Sequence, residues 1–284
     1  MIPQTIHQMF IPPHTGGENG MGDDVRAHGA EWDRRHPHYH RRVWSLAEFL
    51  SLCESIGRSD VAGAVRACRL PAMQTDIARL LILREFGGFW ADLKLYPLAS
   101  FLDSLRSPSI LFAEHFQNEG WHPGMPCSAF LASEAHHKFF DTALSAALRT
   151  VDDRSPHVVT VGGPAAIEAA ITEHFGDSFS ERGYMIPHDM FWGVLVGSGS
   201  ASYNGADNSL HWSNRQGREP LYVWDEVQED RPVSREEIVL AYRLLLGRRP
   251  SETEVSLWRD VRSLEALRAT CLRSDEFRAS LQMG

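Results

Sequence analysis

The chain has 284 residues and a net charge of −9, which argues against a nucleic-acid partner, because nucleic-acid-binding surfaces are basic. Its 43% hydrophobic and 23% charged content is ordinary for a globular protein. No apolar run reaches the length of a transmembrane helix, so none is predicted, while peripheral membrane association stays open. Four scattered cysteines without a Cys-x-x-Cys motif predict reduced thiols and a cytoplasmic protein.

The first quarter of the chain alternates between strand and helix patterns. The patterns predict strands over 5–10 and 39–44, a loop rich in Pro and Gly over 12–22, and helices over 25–35, 46–56 and 59–69. Strands that alternate with helices are typical of a sheet covered by helices. The sequence therefore predicts an α/β fold.

Residues 73–98 contain the pattern that is most informative about function. Apolar residues recur at helical spacing between Met73 and Leu83, which predicts a helix with one buried stripe. A Gly-Gly pair at 87–88 predicts the end of this helix. The apolar run over 89–93 predicts a short buried strand.

Charged residues interrupt this apolar segment, and three of them have an informative position. Asp76 and Arg79 are three positions apart, so they share one face of the predicted helix. Asp92 lies where the predicted strand ends, and ligands of open α/β sheets bind beyond the carboxyl ends of strands. The spacing therefore predicts a carboxylate at the ligand-binding edge. A buried structural ion pair is the alternative interpretation of Asp76 and Arg79.

In the rest of the chain, the sequence predicts a further alternation of strands and helices and then a helical segment. Strands are predicted over 110–113 and 128–132, helices over 135–149 and 164–175, and an irregular stretch over 184–213. The composition changes near 226–232, and the pattern is helical over 234–280. Ser234 with Glu237 forms a capping-box spacing, which predicts a helix N-terminus.

The central segment closely resembles the signature of the DXD-type sugar-binding glycosyltransferases, which include initiating mannosyltransferases, glucosylating toxins and capsular-polysaccharide transferases. The matching motifs are Thr75-Asp76-Ile77-Ala78-Arg79, Gly87-Gly88 and Trp90-Ala91-Asp92. The resemblance spans roughly 2–213. It implies a GT-A-like nucleotide-diphospho-sugar transferase domain with a Rossmann-type sheet over 1–228, followed by a small all-α module over 233–284.

The resemblance also implies roles for individual residues. It assigns catalysis to Asp76, Arg79 and Asp92. Donor binding falls to the same three residues and to Phe10, Lys94, Ser128 and His211. Phe10 would stack on the nucleotide base, or else be a core aromatic residue at a strand end. His211 would lie near the diphosphate, or else be a hydrogen-bonded loop histidine.

A divalent metal is a further expectation from the resemblance. Family members bind Mn²⁺ or Mg²⁺ through the second acid of Asp-x-Asp, and Lys94 occupies that position here. Asp92 and His211 are the expected ligands in its place. A protonated lysine cannot ligate a metal, so metal dependence is open: either Lys94 replaces part of the charge of the metal, or it lies away from the site.

The residues and the resemblance together predict one function and leave two alternatives open. The chain is expected to move a sugar from a UDP- or GDP-sugar to a glycan or other hydroxyl acceptor in surface-polysaccharide biosynthesis. The resemblance implies that the transfer retains the anomeric configuration of the sugar. The alternatives are a catalytically inactive relative that binds sugar nucleotides or glycans, and a chain whose working part is the helical module. The segments 242–250 and 274–277 resemble a small helical module of surface-polysaccharide enzymes, which implies protein contacts.

Overall fold

The computed structural model describes residues 1–12, 21–115, 123–179, 184–199, 211–216, 218–223 and 233–258, together with Leu267, residues 270–272 and Ser274. The chain divides into two compact units, Met1–Leu221 and Tyr222–Gly284. Among the described residues, no helix has both the length and the apolar character needed to cross a membrane.

The first unit alternates strands and helices. Its strands are β1 Thr5–Phe10, β2 His40–Ser45, β3 Gly88–Ala91, β4 Leu95–Pro97, β5 Ile110–Glu114, β6 Pro126–Ser133, β7 Tyr184–Ile186 and β8 Val196–Ser198. Its helices are α1 Asp23–Arg35, α2 Leu46–Ser55, α3 Ser59–Ala67, α4 Pro71–Phe86, α5 Phe139–Asp152, α6 Pro164–Phe175, α7 His188–Phe191 and α8 Trp212–Arg215. Short 3₁₀ turns lie at Leu102–Leu105, Val158–Thr160 and Gly176–Ser178.

Six strands form one sheet in the order β2-β1-β3-β6-β5-β7, while β4 and β8 form a separate antiparallel pair. Within the six-stranded sheet, β6 is antiparallel to both of its neighbours and the other pairings are parallel. The predicted α/β class, with a mostly parallel sheet flanked by helices, is confirmed. The parallel strands end at one edge, and β6 begins there, so residues from several elements meet at that edge.

Helix α4 is buried nearly all round, so the prediction of one buried stripe is wrong. Every residue from Asp76 to Leu83 is buried, because α4 contacts α3 and α5 as well as strands β3 and β6. A helix that is buried on all sides belongs to the core. The two charged residues among its buried positions, Asp76 and Arg79, are therefore held away from bulk water.

The turn from α4 into β3 requires glycine. Gly87 and Gly88 have φ values of 61° and 93°, a region that favours glycine. A Cβ on Gly87 would lie 2.5 Å from the backbone nitrogen of Ala135. His7 Nε2 forms a hydrogen bond with the Gly87 carbonyl oxygen at 3.0 Å, and Trp44 Nε1 donates to His7 Nδ1 at 3.2 Å. This turn fixes where β3 begins.

Several element boundaries differ from prediction for local reasons. The helix expected over 135–149 begins at Phe139, because His136 has a φ of 60°. The helix expected to reach residue 69 ends at Ala67, because Cys68 is extended. The strand expected over 89–93 ends at Ala91. The stretch expected to be irregular contains the short strands β7 and β8.

The described part of the second unit contains helices α9 Arg235–Leu246 and α10 Glu252–Trp258. The capping box of Ser234 and Glu237 is present, as predicted, and Gly247 ends α9 with a φ of 69°. A small core joins these helices: Val233, Ile238, Tyr242, Val255, Leu267 and Cys271. The expected domain boundary over 228–233 falls mainly on residues outside the described part, as do residues 275–277 of the second matched motif.

Candidate active site

Helix α4 and strand β3 bring the three predicted catalytic residues together. Arg79 Nη2 lies 2.5 Å from Asp76 Oδ1 and 3.5 Å from Asp92 Oδ1. The side chains of Arg79 and Asp76 are 3% and 10% exposed, whereas that of Asp92 is 25% exposed. One guanidinium therefore joins a buried carboxylate to one that solvent can reach.

Neighbouring groups hold this guanidinium in place. Arg79 Nη1 donates to the carbonyl oxygen of Ser128, and the Arg79 guanidinium carbon lies 5.3 Å from the centre of the Trp90 ring. Trp90 is fully buried, and its Nε1 donates to Asp92 Oδ1 at 2.9 Å. The indole thus orients Asp92 while it packs beside Arg79.

Burial changes the acid–base behaviour of Asp76. Loss of solvation raises the pKa of Asp76 to about 7, and the negative charge of Asp92 adds to the increase. The Arg79 guanidinium and the Lys94 ammonium oppose the change and lower the pKa. Asp76 therefore gains and loses its proton near neutral pH, which is typical of groups at functional sites.

The main chain fixes Asp92 at the edge of the sheet. Its backbone nitrogen donates to the Ala129 carbonyl oxygen at 2.9 Å, and its own carbonyl oxygen accepts from Leu95 N at 2.9 Å. The second bond closes a turn directly after β3. Asp92 thus lies between the end of β3 and the beginning of β6.

Lys94 lies in this turn, beyond the end of β3. Its carbonyl oxygen accepts from Gly199 N at 2.9 Å, which ties the turn to the end of β8. The positive charge of its ammonium lowers the pKa of Asp76 and of His211. Loss of solvation is the larger cause of the low pKa of His211.

His211 caps the short helix α8. Its Nδ1 accepts from the backbone nitrogen of Ser213 at 3.4 Å and lies 2.8 Å from Ser213 Oγ. Gln216, directly after α8, accepts from Val158 N through Oε1 at 2.7 Å and so anchors the helix to the turn before α6. Because Nδ1 is occupied, Nε2 is the nitrogen of His211 that can meet a ligand.

The other two predicted donor-binding residues lie at the same edge. Phe10 ends β1 and is half-buried. The register pairs Ile6 with Phe89 and His7 with Trp90, so Phe10 shares the sheet face of Ile6, opposite to Trp90. Ser128 meets the site through its carbonyl oxygen, which accepts from Arg79.

Sequence reasoning missed two contributors to the site. Trp90 stands two residues before Asp92, and residues two apart on a strand share a face, so its spacing was available as a signal. Gly162, before α6, has a φ of 83°, and a Cβ there would lie 2.9 Å from the Asp76 carbonyl oxygen. Its contact is between distant segments, and nothing in the local sequence reports it.

The side chains that the structure describes around Asp92 do not by themselves make a site for a divalent metal. In the part of the chain that the structure describes, no group of three or more His, Cys, Asp or Glu side chains could hold a metal ion. The carboxylates of Asp76 and Asp92 face the same guanidinium, and Lys94 adds a second positive charge. The expected ligand pair of Asp92 and His211 therefore lacks a third acidic or neutral partner among the described residues.

No protein-family model matches this chain, and no curated protein matches it. Among solved structures, the PaToxG glycosyltransferase is similar, with 12% identity, a TM-score of 0.43, and coverage of 61% of this chain and 68% of that one. The six-stranded, mostly parallel sheet flanked by helices is consistent with the GT-A-like fold predicted from the sequence. The function of this chain is therefore inferred from the geometry of its site.

Proposed function

We propose that this protein is a glycosyltransferase that takes its sugar from a nucleotide-sugar donor. The observation that supports this proposal is the cluster of Asp76, Arg79 and Asp92 at the carboxyl edge of the sheet. The cluster is made of the residues that match the motif of sugar-binding glycosyltransferases. A sugar nucleotide offers hydroxyl pairs that carboxylates accept and phosphates that cations bind.

The three residues divide the work by their exposure. Asp92, the most exposed of them, accepts hydrogen bonds from sugar or ribose hydroxyls. Asp76 supplies a second acceptor when it is ionised. Arg79 holds both carboxylates in register and, when one of them turns to the ligand, offers its freed N–H groups to the donor. Cations near the leaving diphosphate stabilise the charge that develops as the sugar leaves.

The finer parts of the proposal concern donor, acceptor and setting. We propose that the donor is a UDP- or GDP-sugar and that the acceptor is a glycan or another hydroxyl compound. We propose further that the reaction belongs to surface-polysaccharide biosynthesis and retains the configuration of the anomeric carbon. The matched helical segment over 242–250 supports that setting and a role for the second unit in protein contacts. Three buried free thiols, Cys53, Cys68 and Cys127, support a cytoplasmic location.

A catalytically inactive binding relative is the second candidate. Lys94 at the position of the motif's second acid favours it, because the family uses that acid to bind its metal. Such a protein would bind the donor and release no nucleotide. Turnover therefore separates the two candidates.

The test combines binding with turnover. The protein is screened by thermal shift against UDP- and GDP-sugars, since a ligand that binds only the native state raises the unfolding temperature. Release of UDP or GDP from the stabilising donor is then measured. Asp92→Asn should slow release about tenfold or more, because a hydrogen bond to a charged group contributes about 1.5–3 kcal/mol.

Asp141→Asn is the matched control, because Asp141 pairs with Arg84 on the surface at 3.1 Å. It should release nucleotide at the wild-type rate. Stabilisation without release in the wild type would favour the inactive relative. If no activated sugar stabilises the protein, the proposed function is wrong.

A further inference from the structure

The site contains two cations, and they are used differently. Arg79 is already bound by Asp76, Asp92 and the Ser128 carbonyl oxygen. In contrast, the ammonium of Lys94 forms no ion pair or hydrogen bond with any residue that the structure describes. A half-buried lysine two residues after Asp92, without a partner among the described residues, has unused capacity to bind an anion.

The backbone that carries Lys94 is held on both sides. The Leu95 N to Asp92 O bond closes the turn that contains it, and Gly199 N donates to its carbonyl oxygen at 2.9 Å. His28 Nδ1 lies 3.3 Å from the Leu93 carbonyl oxygen. The position of the Lys94 backbone is thus set by the fold, and only its side chain has room to reorient.

The charge of Lys94 acts on groups around the whole site. It lowers the pKa of the carboxyl of Asp76, of the imidazole of His211 and of the buried thiol of Cys127, although burial is the largest influence on each pKa. These residues belong to α4, to the start of α8 and to the start of β6. The charge of Lys94 therefore acts on groups from three elements around the turn after β3.

We propose that Lys94 binds the diphosphate of the donor directly and that this binding needs no divalent metal. This inference rests on the proposed function. The donor set argues for it, because a metal would need acidic or neutral ligands where the chain supplies a cation. An ammonium offers three N–H donors and a full positive charge to phosphate oxygens.

Calorimetry with UDP and GDP tests this inference on the intact protein. The tighter-binding nucleotide is titrated in EDTA and in excess manganese, and the two affinities should agree. Lys94→Gln should weaken binding about tenfold or more, which is the loss expected for a hydrogen bond to a charged group. Lys94→Arg should restore part of the affinity.

The chain offers a matched control, since Lys94 and Lys138 are its only lysines. Lys138 is exposed at the N-cap of α5, so Lys138→Gln should bind as the wild type does. Reductive methylation followed by mass spectrometry gives a second readout: bound UDP or GDP should slow modification of Lys94 and leave that of Lys138 unchanged. Both glutamine variants should unfold at the wild-type temperature.

The outcomes separate this inference from the proposed function. Binding that strengthens strongly with manganese and ignores Lys94→Gln would overturn the role of Lys94 and leave the glycosyltransferase proposal intact. Equal protection of both lysines would also overturn that role. If neither nucleotide binds under any condition, both proposals fall.

Discussion

At the scale of residues, the site depends on a guanidinium shared by two carboxylates. Arg79 lies 2.5 Å from Asp76 and 3.5 Å from Asp92, so a change at either carboxylate alters the charge that the other one meets. Breaking a buried pair by removing one partner is strongly destabilising. Asp92 is accordingly the cleaner target for mutation, because it is more exposed and Arg79 keeps Asp76.

Donor affinity should depend on pH through Asp76. Its pKa is raised to about 7, so the carboxylate is mostly ionised one unit above that value and mostly protonated one unit below it. Affinity for the nucleotide sugar should therefore fall about tenfold from pH 8 to pH 6. Calorimetry at both pH values measures this change.

Asp76→Asn is the control for the pH effect, because an amide does not titrate in this range. Its affinity should be low and equal at both pH values. A wild-type profile that stays flat would show that Asp76 does not contact the donor in its ionised form. Retention of the full slope in Asp76→Asn would assign the titration to another group.

The sequence predicted the charged members of the site better than the groups that support them. Asp76, Arg79 and Asp92 were predictable because they match a local motif. The Ser128 carbonyl oxygen was not, since any residue could supply it and only the pairing of β3 with β6 brings it to Arg79. Backbone contacts between distant segments leave no residue-type signal.

At the scale of elements, the end of β3 decides the geometry of the site. The sequence predicted a strand that runs to residue 93 and therefore includes Asp92. The strand ends at Ala91, because the Asp92 carbonyl oxygen turns to accept from Leu95 N. Strand length depends on such main-chain bonds, which residues of many types can form, so the type of element was predictable and its last residue was not.

The approach of the Gly162 loop to α4 should also be essential. Gly162→Ala places a Cβ 2.9 Å from the Asp76 carbonyl oxygen at a φ of 83°, so the loop or the helix must shift. We expect a loss of at least about 1 kcal/mol in the free energy of unfolding and weaker donor binding. Denaturant unfolding and calorimetry measure the two effects.

Gly57→Ala provides the comparison, because Gly57 has a φ of 72° and a Cβ there would meet no atom of the described chain within 4 Å. Gly57→Ala should lower the free energy of unfolding through backbone strain alone, and it should bind the donor as the wild type does. Equal effects of the two alanines on stability and binding would show that contact with Asp76 has no consequence for the site.

At the scale of the whole molecule, two buried histidines link stability to acid. Burial lowers the pKa of His7 and of His36 from 6.5 to about 4. The unfolded chain therefore binds protons first as the pH falls. The contribution of each neutral histidine to the free energy of unfolding is fully present above pH 6.5. It is lost as the pH falls from 6.5 to 4, by at most about 3 kcal/mol per histidine. Unfolding free energies across this range should decline accordingly.

His36→Phe should reduce this loss. His36 packs in an aromatic cluster, 5.7 Å from Trp32 and 5.4 Å from Phe101 between ring centres, and its buried Nε2 has no hydrogen-bond partner among the described residues. His38→Phe, at an exposed histidine, should leave the slope unchanged. A steeper decline in His36→Phe would contradict the assignment.

The balance of charge at the site also shapes how a ligand arrives. When Asp76 and Asp92 are ionised, Arg79 and Lys94 neutralise them, while the chain as a whole carries −9. An anionic ligand is therefore repelled at long range by the net charge of the chain and meets the cations Arg79 and Lys94 only at the site itself. An anion that lacks hydroxyls for Asp76 and Asp92 meets the same long-range repulsion and gains fewer hydrogen bonds at the site. The repulsion therefore adds to the selectivity of the protein for its ligand.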